Sequence, residues 1–311
     1  MDSASAPVAL VGPTASGKSA LAHELALDFE GAVELLSVDA MGVYRGMDVA
    51  TAKPTRGERA AVTYHLIDLV DPDEEFTVAQ FQRDACRVVH DLARRAHRGI
   101  YVGGTGLYAR AVFDNLEIPG RYPEVREGLE ARWHDEPGAL FAQLREFDPV
   151  AASRLDATNS RRVLRALEVT VGAGRPFSSF GDGLARYGPV RVVQVGLDPG
   201  LDALDERIAT RFHHWMDEGL IEEVARLVDS PNGVGRTARQ AVGYKELFQH
   251  LEDGVPLEEC VSNAITRSRR LARRQLSWFR RDPRVEWFVD PGAARDRVRE
   301  VLGDAKAFVR D

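Results

Sequence analysis

The sequence predicts an α/β fold: a phosphate-loop, parallel-sheet core that carries a helical insertion domain and a helical C-terminal region. Three observations predict it. Val8–Val11 (VALV) is a short β-favouring run that ends in a glycine-rich turn, and an alanine- and leucine-rich helical segment follows Lys18. Further β-type runs at Val33–Val38 and at residues 65–69, 99–102 and 190–197 are separated by stretches long enough for the crossovers of a buried parallel sheet. Between residues 118 and 188 such runs disappear, and apolar residues instead recur at helical spacing.

Within that stretch the helical pattern covers Pro123–Trp133 and residues 138–147 and 159–171. Beyond it, residues 201–228, 239–251 and 257–281 read as helices, and residues 285–289 as a last strand. Proline and glycine mark residues 118–123, 172–189 and 230–235 as linkers or mobile loops. The expected division is therefore a first part of the core over 1–117, an insertion over 118–189, and completion of the core with C-terminal helices over 190–311.

A chain of 311 residues that is 44% hydrophobic can bury a sizeable core. It has no apolar run of about 18 residues, and residues 1–7 carry no signal-peptide pattern, so no membrane partner and a cytoplasmic location are expected. Cys86 and Cys260 lie far apart without a CxxC or Cys/His cluster, so neither a disulfide framework nor a structural zinc site is suggested; both read as buried, inert thiols. The net charge of -7 argues against coating nucleic acid through bulk charge. Local arrays remain, above all residues 266–284, with eight arginines against the single Asp282.

Gly12-Pro13-Thr14-Ala15-Ser16-Gly17-Lys18-Ser19 matches G-x-x-x-x-G-K-[ST] between a strand and a helix. Glycines let successive amides point at phosphate oxygens, the helix N-terminus adds its positive end, Lys18 supplies a charge, and Ser19 can ligate Mg²⁺. An ordinary glycine turn is the alternative, and string and context together favour a phosphate or nucleotide site. Which phosphate compound binds, ATP included, the loop does not say. Asp39, at the end of the second strand, faces the ligand crevice expected of such a sheet. It is a candidate general base or metal-linked carboxylate, or else an aspartate capping the next turn.

Residues 37–54 (SVDAMGVYRGMDVATAKP), following GPTASGKS, resemble the signature of the tRNA dimethylallyltransferase family. The resemblance continues in order through HLID at 65–68, GGTGLY at 103–108, RALEV at 165–169, GYKE at 243–246 and RRQLSWF at 273–279. Ala40, Gly42, Ala50 and Tyr64 depart from the family, which usually has Ser, a glutamine-like or bulkier residue, Gly and His there.

The resemblance implies transfer of a dimethylallyl group from dimethylallyl diphosphate to the N6 amine of the tRNA adenosine 3′ of the anticodon, position 37, in tRNAs reading codons that begin with U. It implies a monomer that meets the anticodon stem-loop. Asp39 would be the base for the amine, and Thr105 would hydrogen-bond the bridging oxygen of the leaving diphosphate. The loop amides from Thr14 to Ser19, Lys18, Mg²⁺ on Ser19, and Arg211 in DERIATRF would stabilise the charge that develops.

Asp39, Ala40, Met41, Gly42, Thr105, Arg126, Arg161, Arg162, Arg165, Arg239, Gln240 and Gly243 would contact tRNA. Asn159 reads as an N-cap that leaves Arg161, Arg162 and Arg165 on neighbouring turns; a solvated helix face is the alternative. In residues 266–281 and just before, Ile265, Ala272, Leu276 and Phe279 suit one buried stripe, with most arginines outside and Trp278 and Phe279 in the core. Competing readings are a phosphate-loop small-molecule kinase using ATP, a nucleotide-dependent RNA-binding switch, and a prenyltransferase acting on free AMP.

Overall fold

A computed structural model describes residues 7–181 and 183–303; the stretch 1–7 discussed above lies outside them except for Pro7. The chain divides into two compact units, one formed by Met1–Phe113 with Pro189–Asp311, the other by Asp114–Gly188.

The first unit is built on six parallel strands: β1 (Val8–Val11), β2 (Val33–Val38), β3 (Tyr64–His65), β4 (Arg98–Gly103), β5 (Val193–Leu197) and β6 (Val285–Phe288). Their order is β3-β2-β4-β1-β5-β6. Side chains alternate across a strand, so each strand feeds both faces. Ala9, Val11, Leu36, Val38 and Tyr101 enter one core, and Val8, Leu10, Leu35 and Ile100 the other.

On the second face, α1 (Lys18–Leu27) contributes Leu21 and Leu25, and α13 (Pro291–Leu302) contributes Ala294, Val298 and Leu302. The other face is covered by α3 (Val78–Arg94), α4 (Gly106–Phe113), α9 (Leu201–Asp217), α10 (Leu220–Val228), α11 (Tyr244–Asp253) and α12 (Leu257–Phe279). Helix α3 shows why such a segment stops being loop. Thr77 and Gln80 close a capping box at its start, and Phe81, Ala85 and Leu92 then recur on one buried face. A short α2 (Arg56–Ala61) opens with a similar box between Thr55 and Glu58.

The second unit holds α5 (Pro123–Trp133), α6 (Pro137–Phe147), α7 (Pro149–Ala152) and α8 (Ser160–Ala173) around a core of Leu129, Leu140, Leu144, Val163, Leu164 and Leu167. Asn159 caps α8 by accepting from the Arg162 amide at 3.2 Å.

Several expectations are corrected. The strand expected at 65–69 ends at His65, because Leu66 and Asp68 take positive φ (64° and 55°) and Asp68 is held by Lys53 and Arg59 at 2.5 Å each. The fifth strand begins at Val193, not at 190. The single helix expected over 201–228 is two, broken at Gly219 with φ 91°. The helix expected from 239 begins at Tyr244, after a single turn at Ala238–Gln240. Cys86 is exposed, one step round α3 from the buried Ala85, whereas Cys260 is buried. The buried stripe of α12 runs through Cys260, Ala264, Ser268, Ala272, Leu276 and Phe279, so Ile265 and Trp278 lie half-buried at its margin.

Glu34 pins the early half of β2, at the end of the strand away from the phosphate loop. Its buried carboxylate accepts from Arg95 Nη1 at 2.5 Å, His65 Nε2 at 2.5 Å and His97 Nδ1 at 2.6 Å. Burial alone would raise its pKa, but these partners overcome it and hold the carboxyl at about 2. A depressed carboxyl contributes stability that is full above its unfolded value near 4.5 and is lost as pH falls toward 2. Glu34→Gln should therefore cost on the order of 2–3 kcal/mol at pH 7, and the gap from the native chain should close in acid; urea melts that keep the same gap at pH 3 would remove this account.

Candidate phosphate and base-binding site

The C-terminal ends of β1, β4 and β2 finish in one row, since Val11 pairs with Gly103 and Gly103 with Val38. The residues that follow are Gly12, Gly104 and Asp39, so the phosphate loop, the GGTG turn and the Asp39 turn emerge side by side.

Gly12 leaves β1 with φ 146°, and a Cβ there would lie 2.7 Å from the Leu197 carbonyl oxygen, so only glycine lets the loop turn against β5. Gly17 then sits at the N-cap of α1 with no side chain capping the helix, which leaves amides free for an anion. Lys18 is buried, and its Nζ donates to the Pro13 carbonyl at 2.9 Å. Burial, and after it the Arg211 guanidinium, push its pKa down to about 8 against the pull of Asp39. Arg211, from α9, lies 4.6 Å above the Trp215 ring, donates to Thr14 Oγ1 at 2.5 Å, and has its pKa pushed down to about 10 by burial. Its Nε and the hydroxyl of Ser16 are buried without a hydrogen-bond partner. Two neighbouring cations and two buried polar atoms without partners at one loop are features that suit a polyanion.

Of the alternatives left open for Asp39, the structure shows the turn cap. Its Oδ1 accepts from the Met41 amide at 2.7 Å and the Gly42 amide at 3.1 Å, which caps the turn. Both amides fall on one oxygen, and the carboxylate lines a cavity of about 780 Å³ with Ser19, Gly42, Lys53 and Arg211. Thr105 Oγ1 accepts from the Ala40 amide at 3.1 Å, which ties the GGTG turn to the residue after Asp39 and keeps its own proton for another acceptor. A Cβ on Gly42 would stand 3.7 Å from Asp39 Cβ and 3.7 Å from Ser37 Oγ, in ordinary van der Waals contact with the wall. Ala40 and Met41 pack, partly buried, on the core.

The structure thus brings together Lys18, Ser19, Asp39, Ala40, Thr105 and Arg211. It corrects one expectation: the Thr14 amide is engaged by Gln275 Oε1 at 2.8 Å and the Ser16 amide by the Pro13 carbonyl at 3.3 Å, so these two loop amides already have partners. Arg239 stacks 4.4 Å from the Phe248 ring and pairs with Glu252, and the Gln240 carbonyl accepts from Arg267 at 3.4 Å. Gly243 caps α11, its amide donating to Glu246 at 2.9 Å.

In the second unit Arg165 binds the buried Glu168 at 2.7 Å and the Pro119 carbonyl at 2.9 Å, and Arg126 reaches Glu168 at 3.8 Å and Glu130 at 2.8 Å. Arg161 and Arg162 are exposed. Of the eight arginines in residues 266–284, Arg267, Arg269, Arg273, Arg280 and Arg284 pair with carboxylates.

Three residues that sequence reasoning left without a role also shape the site. Lys53 donates to Tyr44 O and Asp68 at 2.5 Å and Asp48 at 2.7 Å, and lines the cavity. Glu223 accepts the Asp48 amide at 3.0 Å and the Tyr244 hydroxyl at 2.5 Å, anchoring the cavity loop from α10. Gln275 is the third. The loop partners of Glu223 and Gln275 lie far along the chain, where no local pattern signals them, whereas Lys53 binds within its own region.

Among the described residues no group of three or more His, Cys, Asp or Glu could hold a metal ion, and no helix is long and apolar enough to cross a membrane. Ser19, exposed on the first turn of α1 and lining the cavity, is a donor that suits a magnesium ion held mainly by phosphate oxygens and water.

Fold and site define a phosphate-loop α/β protein with a carboxylate-bearing cavity beside the loop. Residues 42–282 match the IPP transferase family. A tRNA dimethylallyltransferase of Pseudarthrobacter chlorophenolicus is 46% identical over 90% of this chain and 92% of its own. One from Bifidobacterium longum is 46% identical over 90% and 85%. Among solved structures, a tRNA isopentenylpyrophosphate transferase from Bacillus halodurans superposes with a TM-score of 0.67 at 37% identity, covering 97% of this chain and 98% of that one. A eukaryotic dimethylallyltransferase acting on tRNA gives 0.74 at 26% identity, over 88% and 69%. The chain belongs to the IPP transferase family.

The depressed Lys18 ammonium carries a sign that can be measured. It is charged below pH 8 and neutral above, so its help to an anion fades as pH rises. The ratio of inorganic diphosphate affinity, native over Lys18→Met, should fall by about tenfold per pH unit above that point until the bound-state pKa is reached. A ratio flat from about pH 7 to 9.5 in calorimetric titrations would place the lysine outside the anion site.

Proposed function

We propose that this protein transfers the dimethylallyl group of dimethylallyl diphosphate to N6 of adenosine 37, 3′ of the anticodon, in tRNAs that read codons beginning with U. The observation that carries this reading is the one-row arrangement of the phosphate loop, the Thr105 turn and the capped Asp39 carboxylate, with Asp39, Ser19 and Arg211 lining one cavity. Membership of the IPP transferase family supports it.

The diphosphate lies on the amides of Ala15 and of Gly17 to Ser19 at the start of α1, with Lys18 and Arg211 supplying charge. Ser19 would help to hold a Mg²⁺ ion, which would neutralise further diphosphate charge. An adenine amine is a poor nucleophile, because its lone pair is delocalised into the ring. Asp39, immobilised through Oδ1, takes the amine proton as the N6–C1 bond forms and the C1–O bond breaks. The electron pair leaves with the diphosphate, whose bridging oxygen accepts from the Thr105 hydroxyl.

The adenine must first leave its stack. Ala40, Met41 and Gly42 border the carboxylate it would meet, and Arg239, Gln240 and Gly243 belong to the same unit. The insertion, Asp114–Gly188, supplies phosphate contacts through Arg161 and Arg162, and Arg126 and Arg165 combine that role with holding Glu168. On this reading the enzyme works as a cytoplasmic monomer.

The test is a single-turnover assay with dimethylallyl diphosphate and an anticodon stem-loop. Asp39→Asn should slow transfer by roughly a hundredfold to ten-thousandfold while both substrates still bind. Thr105→Ala should lose rate with the natural donor and recover with a donor carrying a better leaving group, which Asp39→Asn should not do. A near-normal rate for Asp39→Asn would return that residue to turn capping alone.

The two kinds of arginine in the insertion should also separate. Arg162→Ala should lower the salt slope of tRNA binding by about one unit and leave the melting temperature alone. Arg165→Ala should cost roughly 2–3 kcal/mol of stability, since it removes one partner of a buried carboxylate. Identical behaviour of the two variants in filter binding and thermal melts would contradict the division.

A further inference from the structure

Gln275 sits on α12, 261 positions from the loop residue that it touches. Its Oε1 accepts from the Thr14 amide at 2.8 Å. A peptide unit is planar and trans, so the N–H of Thr14 and the carbonyl of Pro13 point in opposite directions. By holding the N–H, Gln275 therefore fixes where the Pro13 carbonyl aims, and that carbonyl takes the Lys18 ammonium at 2.9 Å.

The same carboxamide occupies the space over Gly104. A Cβ at Gly104 would come 2.4 Å from Gln275 Nε2, 3.0 Å from its Cδ and 3.1 Å from the Gly12 carbonyl oxygen. Gly104 precedes Thr105, whose hydroxyl meets the residue after Asp39. One side chain thus lies between the loop that carries Lys18 and the turn that carries Thr105.

We propose that Gln275 is a positioning residue of the diphosphate site, setting the Pro13–Thr14 peptide plane and the Gly104 turn so that Lys18 and Thr105 address one diphosphate in register. The inference rests on the reading of the loop as the diphosphate site. It assigns Gln275 no contact with substrate. Gln275→Met keeps the length of the side chain and removes both polar atoms, and Gly104→Ala pushes the amide away from the other side. Each should weaken binding of inorganic diphosphate, and raise the KM for dimethylallyl diphosphate, by about tenfold, while the KM for the anticodon stem-loop stays within about twofold.

Because both changes act chiefly on the contact of Gln275 with the loop, the loss in the double variant should be smaller than the product of the two single losses. Losses that multiply in the double variant, or an equal loss of stem-loop affinity accompanied by a large fall in melting temperature, would reduce Gln275 to a core-packing residue. A native protein that binds no diphosphate in the same calorimeter overturns the reading of the loop and this inference together. Native binding with unchanged variants overturns this inference alone. Should Gln275→Met fail to fold, Gly104→Ala and Gln275→Ala carry the same comparison.

Discussion

The site depends on the register of three neighbouring parallel strands. Val11, Gly103 and Val38 are paired across β1, β4 and β2, so the chain leaves the sheet at one level three times over. The order in the sheet makes this a crevice. The crossover from β1 to β2 passes over the position that β4 later fills, and ligands of open α/β sheets collect outside the carboxyl ends of strands at such a place. A slip of one residue in β2 would turn Leu36 and Val38 to the wrong face and move Asp39 away from Thr105. The apolar alternation that stabilises the sheet is therefore also what aligns the polar residues beyond it.

Electrostatics explains why the loop is suited to an anion rather than merely able to receive one. Lys18 is buried and Arg211 half-buried, and both have depressed pKa values, which means that the folded chain holds their charge at a cost. A polyanion would relieve the mutual repulsion and provide partners for Arg211 Nε and Ser16 Oγ. In the same region Asp39 keeps a fixed orientation because two successive amides bind one of its oxygens. Turn capping and proton acceptance are compatible roles, since a base held by its neighbours is in place before the substrate arrives.

Much of this was legible in the sequence where the signal is local. VALV followed by GPTASGKS defines a strand, a loop and a helix within twenty residues, and Pro123–Trp133 shows its helical period directly. The failures share a cause. The strand expected at 65–69 was cut short by Lys53 and Arg59, which hold Asp68 from outside the segment. The break at Gly219 was hidden because the apolar period resumes on both sides of it. Cys86 reads as apolar by composition, yet lies one helical step off the buried face of α3. Gln275 and Glu223 act on the site from distant helices, and nothing in their own neighbourhoods records the contact.

The arginines show how far charge alone can mislead. Residues 266–284 form the densest basic stretch of an otherwise acidic chain, yet Arg269 and Arg273 reach Asp205 on α9, Arg267 reaches Glu246 on α11, and Arg280 reaches Asp198 beyond β5. These pairs tie α12 to its neighbours, and each arginine so used has part of its charge neutralised at short range. Arg270, Arg274 and Arg281 take part in none of the described ion pairs and are exposed. The same split occurs in the insertion, where Arg165 holds Glu168 while Arg161 and Arg162 stand in solvent. A phosphate backbone draws most on cations whose charge is not already neutralised by a carboxylate. The charge left without a carboxylate partner among the described residues is therefore a subset of the arginines, selected by which carboxylates the fold brings within reach rather than by their density in the sequence.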